Sequence, residues 1–243
     1  MSKPVLTIRK SDLTRNGSLS TRHLDEVSQL LADGGLVLLP SDTCYSLSGS
    51  VRSGEVANRV NFALRRNVSD PISVSAANVK DATFYLEDSP VASALFDHFT
   101  PGPITVVAQA SASIRKQTQL IEMTIKSQDG TIGMRIPDSV IERDLCAMVR
   151  NGLLTTTAVR QAADTLAQNT IREFDRALDL VAKGMARLKT VPWAAIEGDA
   201  FRATHSTVVR IEPRGKITIL REGDIAKAKI EAVVAALPRS MRY

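Results

Sequence analysis

Four consecutive apolar residues, Leu36-Val37-Leu38-Leu39, sit between Gly34-Gly35 and Pro40. A run this short, closed by glycine on one side and proline on the other, predicts a buried strand rather than a helix. An amphipathic stretch precedes it. Thr21 is placed to cap a helix over residues 22–32, with Leu24, Val27, Leu30 and Leu31 on one face. The alternation recurs along the chain. Helical spacing covers residues 55–66 (Val56, Val60, Ala63, Leu64), 91–99 and 139–149. Strand-like runs cover residues 71–75, 104–108, 131–136, 153–159, 177–181, 207–211 and 216–220. Asp224 is placed to cap a last helix carrying Ile225, Ala228, Val233 and Ala236. Helices interleaved with strands predict an α/β or α+β layered fold. Their irregular order predicts a mixed rather than a purely parallel sheet. Residues 182–205 read as a loop region and 111–130 as a polar surface excursion. With no linker or repeat in view, residues 1–243 read as a single domain.

Composition narrows the functional classes. Of the 243 residues, 44% are hydrophobic and 23% charged, which excludes a disordered or collagen-like chain. The net charge is +5, and all of it lies late. Residues 1–200 hold 22 basic and 22 acidic side chains, whereas 201–243 hold 9 and 4. That asymmetry suits an anionic partner such as a nucleotide or RNA, and equally a solvated basic face. Only Cys44 and Cys146 occur, too few for a disulfide framework or a thiolate zinc site. They suit a reducing cytoplasm. No signal peptide, membrane span, HExxH pair or GxxxxGK[ST] phosphate loop is found, so a nucleotide must be held another way.

Several segments place chemistry beside strands. Ser41, Asp42 and Thr43 follow the Leu36–Leu39 run, where open α/β sheets bind ligands, although such residues also simply cap turns. Tyr45 reads as a recognition group or a half-buried aromatic. Arg65-Arg66 ends a helix, where the dipole favours cations and where a guanidinium fork also receives phosphate. Arg135, inside the apolar run Gly133-Met-Arg-Ile-Pro137, must pair with an anion or reach solvent. Thr155-Thr156-Thr157 offers hydroxyls at a strand end with Arg160 just beyond. His205-Ser206-Thr207 and Leu220-Arg221-Glu222-Gly223 bring polar groups beside late strands.

In this order and spacing the segments resemble the YrdC-like family of threonylcarbamoyl-adenylate synthases. The matching pieces are 35–45 with Pro40-Ser-Asp-Thr-Cys-Tyr45, Arg66 with Pro71-Ile72, and Pro101-Gly-Pro-Ile-Thr105. Gly133-Met-Arg-Ile-Pro137, Leu154-Thr-Thr-Thr157, Ser206-Thr-Val-Val209 and Leu220-Arg-Glu-Gly223 follow, over about residues 20–237. The stretch 131–137 is most similar to the YciO subgroup. The resemblance implies a twisted mixed β-sheet with flanking helices around a basic concave cleft, and no additional C-terminal domain. It implies ATP as cofactor with Mg²⁺ carried on its phosphates. The partners it implies are bicarbonate and threonine, and the product feeds t6A modification of tRNA. The implied catalytic residues are Arg66, Arg135 and Thr157. The implied nucleotide- and substrate-binding residues are Ser41, Asp42, Thr43, Tyr45, Arg65, Thr105, Thr155, Arg160, Ser206 and Arg221. Alternatives within the family are a non-catalytic double-stranded RNA- or nucleotide-binding protein, or an enzyme acting on a different amine. The family pattern Lys-x-Arg places Leu64 at the lysine, and Ser-x-Asn places Thr157 at the serine and Val159 at the asparagine. Leu64 completes an apolar stripe and is expected to face the core. Where Leu64 and Val159 point separates the readings: both in the cleft would argue against threonine adenylation.

Overall fold

The computed structural model describes residues 1–67, 69–112, 129–149, 152–160, 170–199 and 201–238. Most of the polar stretch 111–130, together with Arg239 and Arg242, lies outside the described residues. Ten strands form one mixed sheet: β1 (Leu6–Ile8), β2 (Leu36–Pro40), β3 (Tyr45–Gly49), β4 (Ser73–Ala76), β5 (Ile104–Gln109), β6 (Thr131–Arg135), β7 (Leu153–Ala158), β8 (Trp193–Ile196), β9 (Thr207–Ile211) and β10 (Ile217–Arg221). Their order is β1-β8-β2-β3-β7-β4-β6-β5-β9-β10. β1 and β2 each pair with β8 in parallel, and β3 runs antiparallel to β2 and β7. Seven α-helices are described: α1 (Thr21–Ala32), α2 (Val56–Ala63), α3 (Val79–Phe84), α4 (Pro90–Phe99), α5 (Val140–Met148), α6 (Phe174–Met185) and α7 (Lys227–Ala236).

The run that opens the sequence is apolar on consecutive residues because both faces of β2 are covered. Leu36 and Leu38 join the core beneath α2 and α6. Val37 and Leu39 join the opposite core beneath α1 and α5. A third core lies under α3, α4 and α7, against β4, β5, β6 and β9. All four β2 leucine and valine side chains are fully buried.

The structure corrects several expectations. Residues 177–181 are not a strand but the middle of α6. Phe174, Ala177, Val181, Ala182 and Met185 recur at helical spacing and are all buried, a period that a five-residue window hides. Residues 182–205 are not a loop throughout. They contain β8, whose short Trp193-Ala-Ala-Ile196 run is buried between β1 and β2 and takes its strand geometry from those neighbours. The first helix is capped by Ser20, whose hydroxyl accepts from the His23 N–H, rather than by Thr21. The last helix has no side-chain cap, and its inward residue is Ile230, with Val233, Val234 and Leu237 packed alongside. The Asp224 carboxylate instead accepts from the Thr204 and His205 N–H groups, at 2.6 and 3.0 Å.

Candidate active site

Pro40 ends β2, and residues 41–44 make a tight turn closed by the Ser41 N–H donating to the Cys44 carbonyl at 3.0 Å. The turn is buried, so its polar groups are satisfied inside the protein. The Asp42 carbonyl accepts from Arg202 N–H (2.7 Å) and Ala203 N–H (3.0 Å). The Thr43 carbonyl accepts from Arg172 Nε at 2.9 Å, and Arg172 Nη2 donates to the Ala203 carbonyl. Three distant segments, around 42, 172 and 203, are thereby tied together at one end of the sheet.

Above this junction opens a cleft of about 630 Å³. Its wall carries five guanidinium groups, Arg65, Arg66, Arg135, Arg160 and Arg221, contributed from α2's end, β6, β7's end and β10. Hydroxyls of Thr43, Ser46, Ser73, Thr105, Thr156, Thr157 and Ser206 line it too. Asp70 is the carboxylate among the described lining residues, and it faces Arg66 at 3.6 Å.

The five cations are not equivalent. Arg135 is buried and ion-paired with the fully buried Asp42 through Nη2. Asp42 also accepts from Asp138 N–H at 3.2 Å. Glu142, on the first turn of α5 and fully buried, accepts from the Ser75 hydroxyl. Burial pushes the Glu142 carboxyl up, against the pull of Arg135, Ser41 and Ser75. Burial works against the charge on Arg135, but Asp42 and Glu142 outweigh it, so its pKa is raised. The Arg135 charge is therefore cancelled at the cleft floor, and the positive potential comes from Arg65, Arg160 and Arg221, with Arg66 partly offset by Asp70. Burial lowers the pKa of Arg221, and Arg160 and Arg135 add to the effect. Burial does the same at Arg66, where Asp70 opposes and Arg160 reinforces. Both guanidiniums stay charged at neutral pH. Arg160 lowers both pKa values, so the wall crowds like charge, and that is the field an anionic ligand relieves. Arg221 is aimed by three hydrogen bonds, from Nε and Nη2 to the Ser206 carbonyl (3.1 and 2.9 Å) and from Nη2 to the Ser206 hydroxyl (2.6 Å).

Of the residues expected at the site, Thr43, Arg65, Arg66, Thr105, Arg135, Thr157, Arg160, Ser206 and Arg221 line the cleft. Four do not. Ser41 and Asp42 lie beneath the wall. The Tyr45 hydroxyl is turned away, donating to the Gly198 carbonyl (3.2 Å) and accepting from its N–H (3.1 Å). Burial pushes the Tyr45 phenol up to about 12. Thr155 faces β3, accepting from Gly49 N–H at 3.0 Å. Tyr45 and Thr155 are therefore structural. Alternation gives Thr155 the same side of β7 as Thr157, but the β3 backbone at Gly49 takes its hydroxyl. Arg65 and Arg66 also do not sit in a helix. α2 ends at Ala63, and Arg65 has φ +54°. Arg210 is spent on Asp129 and Glu212, so of the late basic residues Arg221 is the one on the wall.

Ser46 and Ser73 are wall residues that the sequence reading leaves out, and Thr156 joins Thr157 on the wall. Their signal in the sequence is a polar side chain inside a strand that is otherwise apolar, which requires the strands to be placed first. Leu64, expected in the core, does both. It packs against the α2–α6 core and also lines the cleft. Val159 is fully buried in that core and lies off the wall. The Thr157 hydroxyl is buried without a hydrogen-bond partner among the described residues. An unpaired hydroxyl on a cleft wall is open to a ligand oxygen or to water. The wall does not fit a protein-held Mg²⁺: among the described residues no group of three or more His, Cys, Asp or Glu could hold a metal, and Asp70 is engaged by Arg66. No helix among the described residues is long and apolar enough to cross a membrane.

Comparison with known proteins bears on this cleft. The family model Sua5_yciO_yrdC, described as "Telomere recombination", matches residues 29–223. A Methanocaldococcus jannaschii protein provisionally named threonylcarbamoyl-AMP synthase is 26% identical over 207 residues, 85% of this chain and 88% of that one. The Mus musculus threonylcarbamoyl-AMP synthase is 29% identical over 198 residues, 81% of this chain and 65% of its own. Among solved structures, E. coli YciO matches with a TM-score of 0.70 at 17% identity, over 93% of this chain and 98% of that chain. P. abyssi Sua5 complexed with L-threonine matches with a TM-score of 0.69 at 19% identity, over 94% of this chain and 60% of its own. The chain thus spans about two thirds of the mouse protein and 60% of Sua5.

Proposed function

The chain belongs to the Sua5/YciO/YrdC family, and from that premise we propose that its cleft binds ATP and makes a carbamoyl-adenylate of the threonylcarbamoyl-AMP type. In this reading residues 1–243 act as one domain, and the product feeds t6A modification of tRNA. The observation that carries the proposal is the cleft itself: Arg65, Arg160 and Arg221 without a carboxylate partner among the described residues, and Arg66 with Asp70 at 3.6 Å, around a hydroxyl-lined floor large enough for a nucleotide.

The chemistry follows from these groups. An amine attacks the carbon of bicarbonate, a C–O bond breaks, and water leaves with the amine proton to give a carbamate. A carbamate oxygen then attacks the α-phosphorus of ATP, the bond to the β-phosphate bridging oxygen breaks, and pyrophosphate leaves. Negative charge builds on the α-phosphate oxygens, and Arg66, Arg160 and Arg221 converge to stabilise it in a partly dry site. The Thr157 hydroxyl supplies a donor to a phosphate or carbamate oxygen. Positioning carries most of the rate, because the protein forms no covalent bond. Mg²⁺ enters on the phosphates of ATP, since the wall has no carboxylate set for it.

One observation favours a second reading within the family. Leu64 lines the cleft where the family has lysine, removing a cation from the wall. Val159 is in the core, and Arg65 and Arg160 flank the space, so the charge is redistributed rather than lost. A protein that binds nucleotide or RNA without turnover, or that takes a different amine, fits this change. The test is pyrophosphate release with ATP, Mg²⁺, bicarbonate and threonine, omitting each in turn. Release that needs all of them establishes the enzyme. ATP binding with no release across a panel of amines establishes the binding protein.

A further inference from the structure

Beside the cleft lies a second, more open basin of about 500 Å³, lined by Phe62, Arg65, Arg66 and Arg187. Arg65 and Arg66 line both, so the two are continuous through that pair. Arg187 comes from just past the end of α6, 121 positions along the chain from Arg66. Close packing brings it there. A Cβ added to Gly184 would sit 1.9 Å from the Ala63 carbonyl oxygen, so only glycine lets α6 lie directly against the end of α2. The Arg187 N–H donates to the Gly184 carbonyl at 3.1 Å, which fixes its place immediately beyond that contact. Its guanidinium lies over the Phe62 ring, 4.5 Å from the centroid. Phe62 is 39% exposed, unusual for phenylalanine, and its ring serves here as a platform that aims a cation.

The basin is short of counter-charge: of its arginines, Arg66 has Asp70 at 3.6 Å. Among its described lining residues there is no carboxylate, and neither Arg65 nor Arg187 has a hydrogen bond or ion pair from its side chain to a described residue. Arg65 also holds φ +54°, a conformation that side chains other than glycine, asparagine and aspartate rarely take. Strain of that kind, in an unpaired arginine shared by two cavities, is a mark of a functional position.

The geometry points to an outer anion subsite formed by Arg65 and Arg187 that holds the pyrophosphate end of the nucleotide, and then the departing pyrophosphate. The assignment rests on the adenylation reading for its ligand and on the basin for its residues. Guanidinium forks match pairs of phosphate oxygens, and two unpaired ones beside Arg66 suit a group of about three negative charges. An α-phosphate held at Arg66, Arg160 and Arg221 leaves the β- and γ-phosphates to reach outward through the shared pair of arginines.

Calorimetric titration of the full chain with inorganic pyrophosphate, ATP and AMP tests this, comparing the wild type with Arg187→Ala and Arg187→Lys. Arg187 is exposed and outside the cleft wall, so neither substitution threatens the fold. Arg187→Ala is expected to weaken pyrophosphate and ATP binding about tenfold and AMP binding less than about twofold, with Arg187→Lys in between. Unchanged pyrophosphate and ATP binding in Arg187→Ala, with both intact in the wild type, overturns the subsite and leaves the adenylation reading standing. An equal loss for AMP also overturns it. Pyrophosphate binding that depends on Arg187 in a wild type that binds neither ATP nor AMP keeps the subsite and removes the adenylation reading.

Discussion

Replacing Asp42 with alanine removes the counter-ion of Arg135 and leaves a guanidinium in the interior. The Asp42 side chain is 0% exposed and that of Arg135 8%, so water cannot make up the loss. Breaking a buried pair from one side costs about 3–5 kcal/mol. Asp42 also accepts the Asp138 N–H, so the turn into α5 loses a bond as well. At about 2–4 °C per kcal/mol for a chain of this length, the melting temperature is expected to fall by roughly 6–20 °C. The penalty has a pH signature. Glu142 is the remaining carboxylate near Arg135, and burial keeps it protonated above its usual range. As pH rises through the folded Glu142 value, Glu142 ionises and takes over part of the pairing, so Asp42→Ala costs more below that value than above it. Urea unfolding at several pH values, followed by fluorescence and circular dichroism, measures this. Adding Arg135→Met to Asp42→Ala removes the stranded charge and recovers most of the loss. A cost below about 1 kcal/mol for Asp42→Ala, or additive costs in the double variant, refutes the claim that Asp42 neutralises Arg135.

Three further outcomes are expected. Because burial raises the Glu142 carboxyl above its value in the unfolded chain, about 4.3, the folded state keeps a proton that the unfolded chain has released. That stability is fully present below the unfolded value and is lost as pH rises through the folded one. Glu142→Gln keeps an acceptor for Ser75, so its unfolding free energy should lose that downward slope, as urea titrations across pH 4–9 will read. Leu64→Lys puts a cation on the cleft wall and should tighten ATP binding about tenfold by calorimetry, at a small cost in packing against the α2–α6 core. Gly184→Ala drives a methyl group into the Ala63 carbonyl, and should lower stability by about 3 kcal/mol and weaken pyrophosphate binding by moving Arg187 off the basin.

The longer periodic segments were legible in the sequence because local chemistry dictates them. The runs that became β2, β5, β6, β7 and β9 and the faces of α1, α4 and α5 bury what their spacing said they would. Two segments misled. Residues 177–181 are β-like only in isolation, since the helical period needs the flanks at Phe174 and Met185 to be seen. Trp193–Ile196 carries no alternation, and its strand exists because β1 and β2 offer ladder partners on both sides. At the site, residue types were legible and roles were not. The same motif that carries Thr43 to the wall carries Asp42 beneath it and turns Tyr45 to Gly198.

Sequence by itself determined that strands and helices alternate, that the sheet is mixed, and that arginines and hydroxyls cluster at strand ends in an order shared with one family. These follow from period, turn residues and spacing, all local properties of the chain. Tertiary structure alone decided which charges count. Arg135 looked like a site cation and is cancelled by Asp42, 93 positions away. Arg210 is drawn off by Asp129, while Arg160 and Arg221 line one cleft without a carboxylate partner among the described residues, and Arg160 lowers the Arg221 pKa. Arg187 gave no signal at all until a glycine-tight helix contact set it beside Phe62. An electrostatic field depends on distances between groups remote in sequence, and on whether water lies between them. Only the folded chain fixes either.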